Sequence, residues 1–345
     1  MRVLVTGGGG FIGSHAAEYF ASEHQVVICD NLSRASTLDH NPVNQTYNWD
    51  LMKKEYPKIT LHQIDIRDFA AFREASKSAE VIIHTAGQVA VTSSLRDPRT
   101  DFEVNALGTF NTLEAARLND AALVFCSTNK VYGENVNAIP VRSEAKRWCF
   151  DDVRYVNGIP ETFSVDHTGH SPYGASKLSA DIYVQDYAHT YGLKACVFRM
   201  SCIYGERQFG VEDQGWLAWF IIASLARKPI TIYGDGKQVR DVLYVKDLIL
   251  AFDHFVKSRI KHGVFNMGGG PENTLSLLEL LDIIEESAAV SPQTKYQDWR
   301  PADQKVYISD IRKAREELAW KPTIRPLEGV KRVLSWALEN KNLFS

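Results

Sequence analysis

The sequence predicts an α/β chain: a Rossmann-like, doubly wound parallel sheet followed by a smaller C-terminal substrate-binding region. Three observations carry this expectation. Short apolar runs alternate with helical patterns from Arg2 to Met200, and such alternation implies right-handed parallel crossovers. A glycine-rich turn follows the first run directly. After Met200 glycine, tryptophan and arginine become frequent and the apolar runs shorten, which marks a second region.

The elements follow in order. Arg2-Val3-Leu4-Val5 reads as a buried parallel strand. Thr6-Gly7-Gly8-Gly9-Gly10-Phe11-Ile12-Gly13 turns the chain into a helix over Ser14–Ser22. Gln25–Cys29 is a second strand and ends in Asp30. Further strands are expected at Ile59–Asp65, Glu80–Ala86, Ala122–Thr128 and Lys194–Met200, and helices at Phe69–Lys77, Arg99–Leu118 and Pro172–Tyr191. Ser143–Gly169 is a long stretch without periodicity, of the kind that is functional or mobile in compact domains. Helices at Leu275–Glu286 and Leu327–Leu338 belong to the second region. The expected division is 1–201 with 242–265 for the nucleotide-binding domain, and 202–241 with 266–345 for the substrate domain.

Composition excludes several classes. Net charge is −3 over 345 residues, so no electrostatic footprint for nucleic acid or anionic membrane is present. No apolar stretch reaches membrane-spanning length. A strand starting at residue 2 leaves no room for a signal peptide, so a cytoplasmic protein is expected. The five cysteines form no C-x-x-C pair and read as reduced core thiols, Cys202 being the one nearest a site. The ten histidines show no metal-ligand spacing, and no metal is expected.

The chemistry begins at the turn. Gly7, Gly10 and Gly13 are spaced G-x-x-G-x-x-G between a strand and a helix. Such glycines let backbone N–H groups approach a pyrophosphate, whose charge the helix N-terminus favours. Asp30 is placed for ribose hydroxyls and repels a 2′-phosphate, so NAD is read over NADP; Arg34, nearby, is the residue that could accommodate that phosphate. In Ser171-Pro172-Tyr173-Gly174-Ala175-Ser176-Lys177, Tyr173 and Lys177 stand four apart, one turn apart on one helix face. A phenol titrates near pH ~10, and a nearby ammonium favours the phenolate. The tyrosine can then exchange a proton with a sugar hydroxyl. Ser127-Thr128, at a strand end, supplies a hydroxyl for the same oxygen.

These motifs, with Ala86-Gly87-Gln88, Asn105 and Ser127-Thr128-x-x-Val131-Tyr132-Gly133, resemble the extended short-chain dehydrogenase/reductase superfamily, home of the sugar-nucleotide epimerases and dehydratases. The resemblance covers essentially the whole chain. Longer blocks, among them Ala86–Ser93, Ser127–Gly133, His170–Gly174, Arg207–Phe209, Asp213–Trp216 and Gly236–Val242, look like the CDP-tyvelose (CDP-paratose) 2-epimerase family.

The resemblance implies catalytic Thr128, Tyr173 and Lys177. It implies NAD contacts from Gly7, Gly10, Phe11, Ile12, Gly13, Asp30, Asn31, Ser33, Arg34, Asp65, Ile66, Ala86, Gln88, Asn105, Ser127, Tyr173, Lys177 and Met200. Nucleotide-sugar contacts fall to Gln88, Thr92, Thr128, Asn129, Arg207, Gln214, Arg240, Arg300 and Asp303, the last binding ribose or orienting an arginine. Arginine suits a pyrophosphate because its planar fork engages two oxygens. Related 4,6-dehydratases carry an acidic pair after the catalytic hydroxyl. Here Asn129 and Lys130 stand there, and neither can protonate a leaving hydroxide. Reversible hydride transfer with no net redox change is therefore expected, and the resemblance places it at C2 of a CDP-sugar. The alternatives are a 4-epimerase of another nucleotide sugar, or a non-catalytic NAD-binding protein. A homodimer built on Pro172–Tyr191 and Arg99–Leu118, or a tetramer, is the expected assembly.

Overall fold

The computed structural model describes residues 1–34, 46–300 and 303–344. Two compact units emerge: residues 1–131, 171–199 and 249–265, and residues 132–170, 200–248 and 266–345.

The first unit is built on a seven-stranded parallel sheet. In chain order its main elements are β1 (Arg2–Thr6), α1 (Phe11–Phe20), β2 (Gln25–Asp30), α2 (Tyr47–Glu55), β3 (Thr60–Gln63), α3 (Phe69–Ala75), β4 (Val81–His84), α4 (Gly108–Asn119), β5 (Ala122–Thr128), α5 (Ser171–Tyr191), β6 (Ala195–Met200), α6 (Val245–Lys257) and β7 (His262–Met267). The strand order is β7-β6-β5-β4-β1-β2-β3. Residues 3–5 of β1, 26–29 of β2, 81–84 of β4 and 123–126 of β5 are all nearly or fully buried. That is why these strands read as continuous apolar runs rather than alternating ones. Leu4, Val27, Ile82, Leu113, Phe125, Ala180 and Val197 join one core between sheet and helices. The direction of winding reverses between β1 and β4, which is where such sheets open a ligand crevice.

The expected helix over Arg99–Leu118 is interrupted. Pro98–Phe102 is α-helical, Glu103–Leu107 is a π turn, and α4 follows. Periodicity alone cannot register one extra residue in a turn, and π turns gather at functional sites. The strand β7 was not apparent in the sequence, its apolar run being short and mixed with glycine.

In the second unit, Val239–Tyr244 pairs parallel with Cys202–Tyr204 and Val306–Tyr307 and antiparallel with Thr274–Ser276. Tyr204, Phe220, Ile232, Tyr244, Leu280, Val330 and Leu334 form its core. Residues 132–170 belong to this unit, whereas the sequence reading ran the first domain through 201. Nor is Ser143–Gly169 without structure. Val141–Ser143 and Trp148–Phe150 form an antiparallel hairpin. Arg147 clamps Glu279 through two contacts of 2.6 Å, and Trp148 Nε1 donates to Asp235 at 2.9 Å. These partners lie far along the chain, beyond the reach of local patterning.

Candidate active site

The glycine turn closes as its spacing requires. Gly7 has φ +69°, and a Cβ there would stand 2.7 Å from the Ala86 nitrogen. A Cβ on Gly13 would meet the Gly7 carbonyl oxygen at 2.2 Å. Helix α1 begins at Gly10 with no side chain capping it, leaving its first N–H groups for an anion. Asp30, at the end of β2, accepts from Gly9 N at 2.9 Å and from Leu32 N at 2.7 Å, so it braces the turn. Burial pushes its carboxyl pKa up. Asn31 donates to Asp65 at 2.9 Å. Arg67 pairs with the same carboxylate, which is held down at about 2. Burial pushes the Arg34 guanidinium pKa down. This cradle, open at its backbone amides and closed to any Cβ, fits a dinucleotide pyrophosphate.

A hydrogen-bonded chain ties the turn to the π turn. The Thr109 hydroxyl lies 2.6 Å from the Asn105 carbonyl oxygen and donates to it. It must therefore accept from His84 Nε2–H, 2.9 Å away, which leaves His84 Nδ1 to accept from the Thr6 hydroxyl at 2.7 Å. Burial, then Lys177, pushes His84 down to about 3, so the ring is neutral in this chain. No motif pointed to His84.

Tyr173, Lys177 and Thr128 lie together in the first unit. Pro172 opens α5, and the i,i+4 spacing puts Tyr173 and Lys177 on one buried face. They are 8% and 5% exposed. Burial pushes the Tyr173 phenol up to about 12, and the hydrogen bond with Thr128 pulls the other way. The expected downward push from Lys177 is absent, which corrects the sequence reading. The ammonium donates instead to the Cys126 carbonyl at 2.6 Å and sits 4.3 Å from the Phe125 ring centroid. Burial lowers Lys177 to about 8. Desolvation dominates because the whole face is buried.

Several expected contacts are committed elsewhere. Ser127 turns inward and donates to Asp181 at 2.9 Å. Asp181 in turn pairs with Arg199, the two side chains being 0% and 6% exposed. Gln88 spends its amide on Asp101 at 2.7 Å and on the Ala90 carbonyl at 2.9 Å. Asn105 donates to the Gln88 carbonyl at 3.0 Å and to Asp101 at 3.1 Å. Asn129 Oδ1 lies 3.4 Å from the Thr128 hydroxyl, and the buried Thr92 hydroxyl has no protein partner. Sequence reasoning missed Asp101. Its only signal is an acidic residue on the inward face of a helix, four before Asn105.

Among the second-unit candidates, Arg240 pairs with Asp303 at 2.8 Å and donates to the Gln304 carbonyl at 2.7 Å. Asp303 thus orients an arginine. Arg300 meets Asp213 at 3.0 Å and stacks 3.9 Å from the Tyr233 centroid. Arg207 is 8% exposed and has φ +64°. Gln214 lies in a tight turn with Val211. The Cys202 thiol is pushed up to about 12 by burial and is inert. Among the described residues no helix is long and apolar enough to cross a membrane, and no cluster of metal-ligating side chains appears.

An open glycine cradle at the switch point and a buried Thr–Tyr–Lys set define an NAD-dependent short-chain dehydrogenase/reductase. Residues 3–268 match the NAD dependent epimerase/dehydratase family, and the chain belongs to that family. It is 37% identical over 347 residues to CDP-paratose 2-epimerase of Salmonella typhi, covering 97% of this chain and 99% of that one. It is 34% identical to a putative UDP-glucose 4-epimerase of Methanocaldococcus jannaschii, over 98% and 99% of the two chains. The crystal structure of Thermus thermophilus UDP-glucose 4-epimerase in complex with NAD superposes with a TM-score of 0.79 at 31% identity, over 99% of this chain and 100% of that one. The protein is an NAD-dependent nucleotide-sugar epimerase, and NAD is its cofactor.

Proposed function

We propose that the chain inverts C2 of a CDP-sugar, interconverting CDP-paratose and CDP-tyvelose by transient oxidation. The observation that carries this is the buried Thr128–Tyr173–Lys177 set followed by Asn129 and Lys130, within a chain 37% identical end to end to a CDP-paratose 2-epimerase. NAD⁺, held in the first unit, would supply reversible hydride acceptance at that carbon.

The chain's own groups handle the proton. Tyr173 takes the C2 hydroxyl proton as the ketosugar forms and gives it back when the alcohol is remade. Thr128 donates to the same oxygen. In the structure the phenol is held protonated by burial, which suits the reducing half. The oxidising half needs the phenolate, toward which the Thr128 hydrogen bond pulls. The glycine turn, Asp30 and Lys177 hold NAD, and the first unit is the NAD-binding domain. The second unit is the substrate domain, where Arg207, Arg240 and Arg300 hold the diphosphate. The unpartnered Thr92 hydroxyl and Asn129 take sugar hydroxyls.

Exposed apolar side chains on α4 and α5 support a homodimer. Phe110, Leu118, Ile182, Tyr183 and Tyr191 are 38%, 47%, 54%, 46% and 55% exposed, and Phe110 packs edge-on to Tyr183.

The test incubates purified protein separately with CDP-paratose and CDP-tyvelose and follows products by proton NMR. Interconversion without solvent deuterium at C2 is expected. A second reading, 4-epimerisation of a UDP-sugar, has the support of the two relatives named UDP-glucose 4-epimerase. Turnover of UDP-glucose with inert CDP-sugars would establish it instead.

A further inference from the structure

Asp101 is 1% exposed and accepts from three uncharged donors. They are Gln88 Nε2 at 2.7 Å, Asn105 Nδ2 at 3.1 Å and Ser176 Oγ at 2.5 Å. The donors come from the loop after β4, the π turn and α5. An asparagine would serve this network equally well. Its oxygen would accept from Gln88 and Asn105, its NH₂ would donate to Ser176, and Ser176 already has the Tyr173 carbonyl at 3.1 Å as an acceptor. The hydrogen bonds therefore do not require the charge, and burying an unpaired carboxylate is costly.

Burial pushes the Asp101 carboxyl pKa up; its three donors, and then the Lys177 ammonium, pull it back down. A point beside Gly87 lies 2.9 Å from Asn105 Oδ1 and 4.0 Å from Lys177 Nζ, and Ser176, whose hydroxyl donates to Asp101, adjoins Lys177 on α5. Against the burial that lowers Lys177, Cys126, Asp181 and Asp101 favour its ammonium, in that order. Asp181 is paired with Arg199, His84 is neutral, and the Cys126 thiol and Tyr173 phenol are both held protonated by burial. We propose that Asp101 is a positioning residue whose buried carboxylate, outside any ion pair, is a counter-charge that helps keep Lys177 an ammonium beside Tyr173. The consequence for turnover rests on the proposed roles of Tyr173 and Lys177; the electrostatic coupling does not.

The experiment compares holoenzyme with Asp101→Asn, and with the smaller, equally neutral Asp101→Ser, from pH 6 to pH 10. Lys177 sits at about 8 when folded, below its ordinary 10.5, so its contribution to stability rises with pH between those values. Loss of the counter-charge extends that rise to lower pH. The Tm of both variants should therefore begin climbing at lower pH than that of wild type, and the alkaline limb of turnover should move down by roughly one pH unit. In a Lys177→Met background Asp101→Asn should leave the shape of the Tm–pH curve unchanged. Ser176→Ala, which breaks the network but keeps the charge, should leave the alkaline limb in place. An Asp101→Asn curve merely offset from wild type, a difference that persists without Lys177, or an equal shift in Ser176→Ala would overturn the proposal. The Tm measurement needs no substrate, so it stands even if the CDP-sugar reading fails.

Discussion

At Tyr173 burial outweighs every neighbour, and at Lys177 it does the same with the opposite sign. The phenol is held protonated near 12 while the ammonium is brought down to about 8. Turnover should therefore fall as pH rises through about 8, when Lys177 loses its proton, and a pH–rate profile of kcat checks this. Tyr173→Phe removes the proton carrier and should lower kcat by about 10²- to 10⁴-fold. NAD released on denaturation should remain stoichiometric in that variant, which separates chemistry from binding. Asp181 illustrates the contrasting, structural use of charge. It holds Arg199 at 2.9 Å and Ser127 at 2.9 Å in a buried triad. Asp181→Ala takes the paired carboxylate away from a buried arginine and should cost about 3–5 kcal/mol in urea unfolding at pH 7.

Elements bring these side chains together by different means. The turn between β1 and α1 depends on absent side chains. Gly13→Ala places a methyl 2.2 Å from the Gly7 carbonyl, and backbone cannot yield as a side-chain tip can. The variant should purify without NAD and melt lower than wild type, measured by absorbance of the released nucleotide and by calorimetry. The π turn at Glu103–Leu107 presents Asn105 to Asp101 and to the Gln88 carbonyl. The hairpin at Val141–Phe150 is fixed from outside by Glu279, which also closes the capping box with Ser276. Glu279→Ala loses a cap and a partly buried ion pair together, so a loss of about 1–2 kcal/mol is expected by thermal unfolding.

At the scale of the molecule, the exposed aromatic and aliphatic stripe on α4 and α5 is the feature that a lone chain leaves unexplained. Light scattering at micromolar concentration should return a dimer or a multiple of it. Ile182→Asp, which places a charge where the side chain is now 54% exposed, should return a monomer that keeps its melting temperature.

Local chemistry made much of the protein readable from its sequence. The glycine spacing, the i,i+4 Tyr173–Lys177 pair, the strand-end Thr128 and the apolar runs of β1, β2, β4 and β5 depend on residues within a turn or two of one another. Their physics is short-range. Tertiary structure decided the rest, because the determining partners are far apart in the chain. Residues 132–170 joined the second unit, Ser127 faced Asp181 rather than the crevice, and Asp303 took Arg240 as its partner. Burial, which no single residue carries in its own letters, turned the expected direction of the Tyr173 shift around and left Asp101 a buried carboxyl held by Gln88, Asn105 and Ser176.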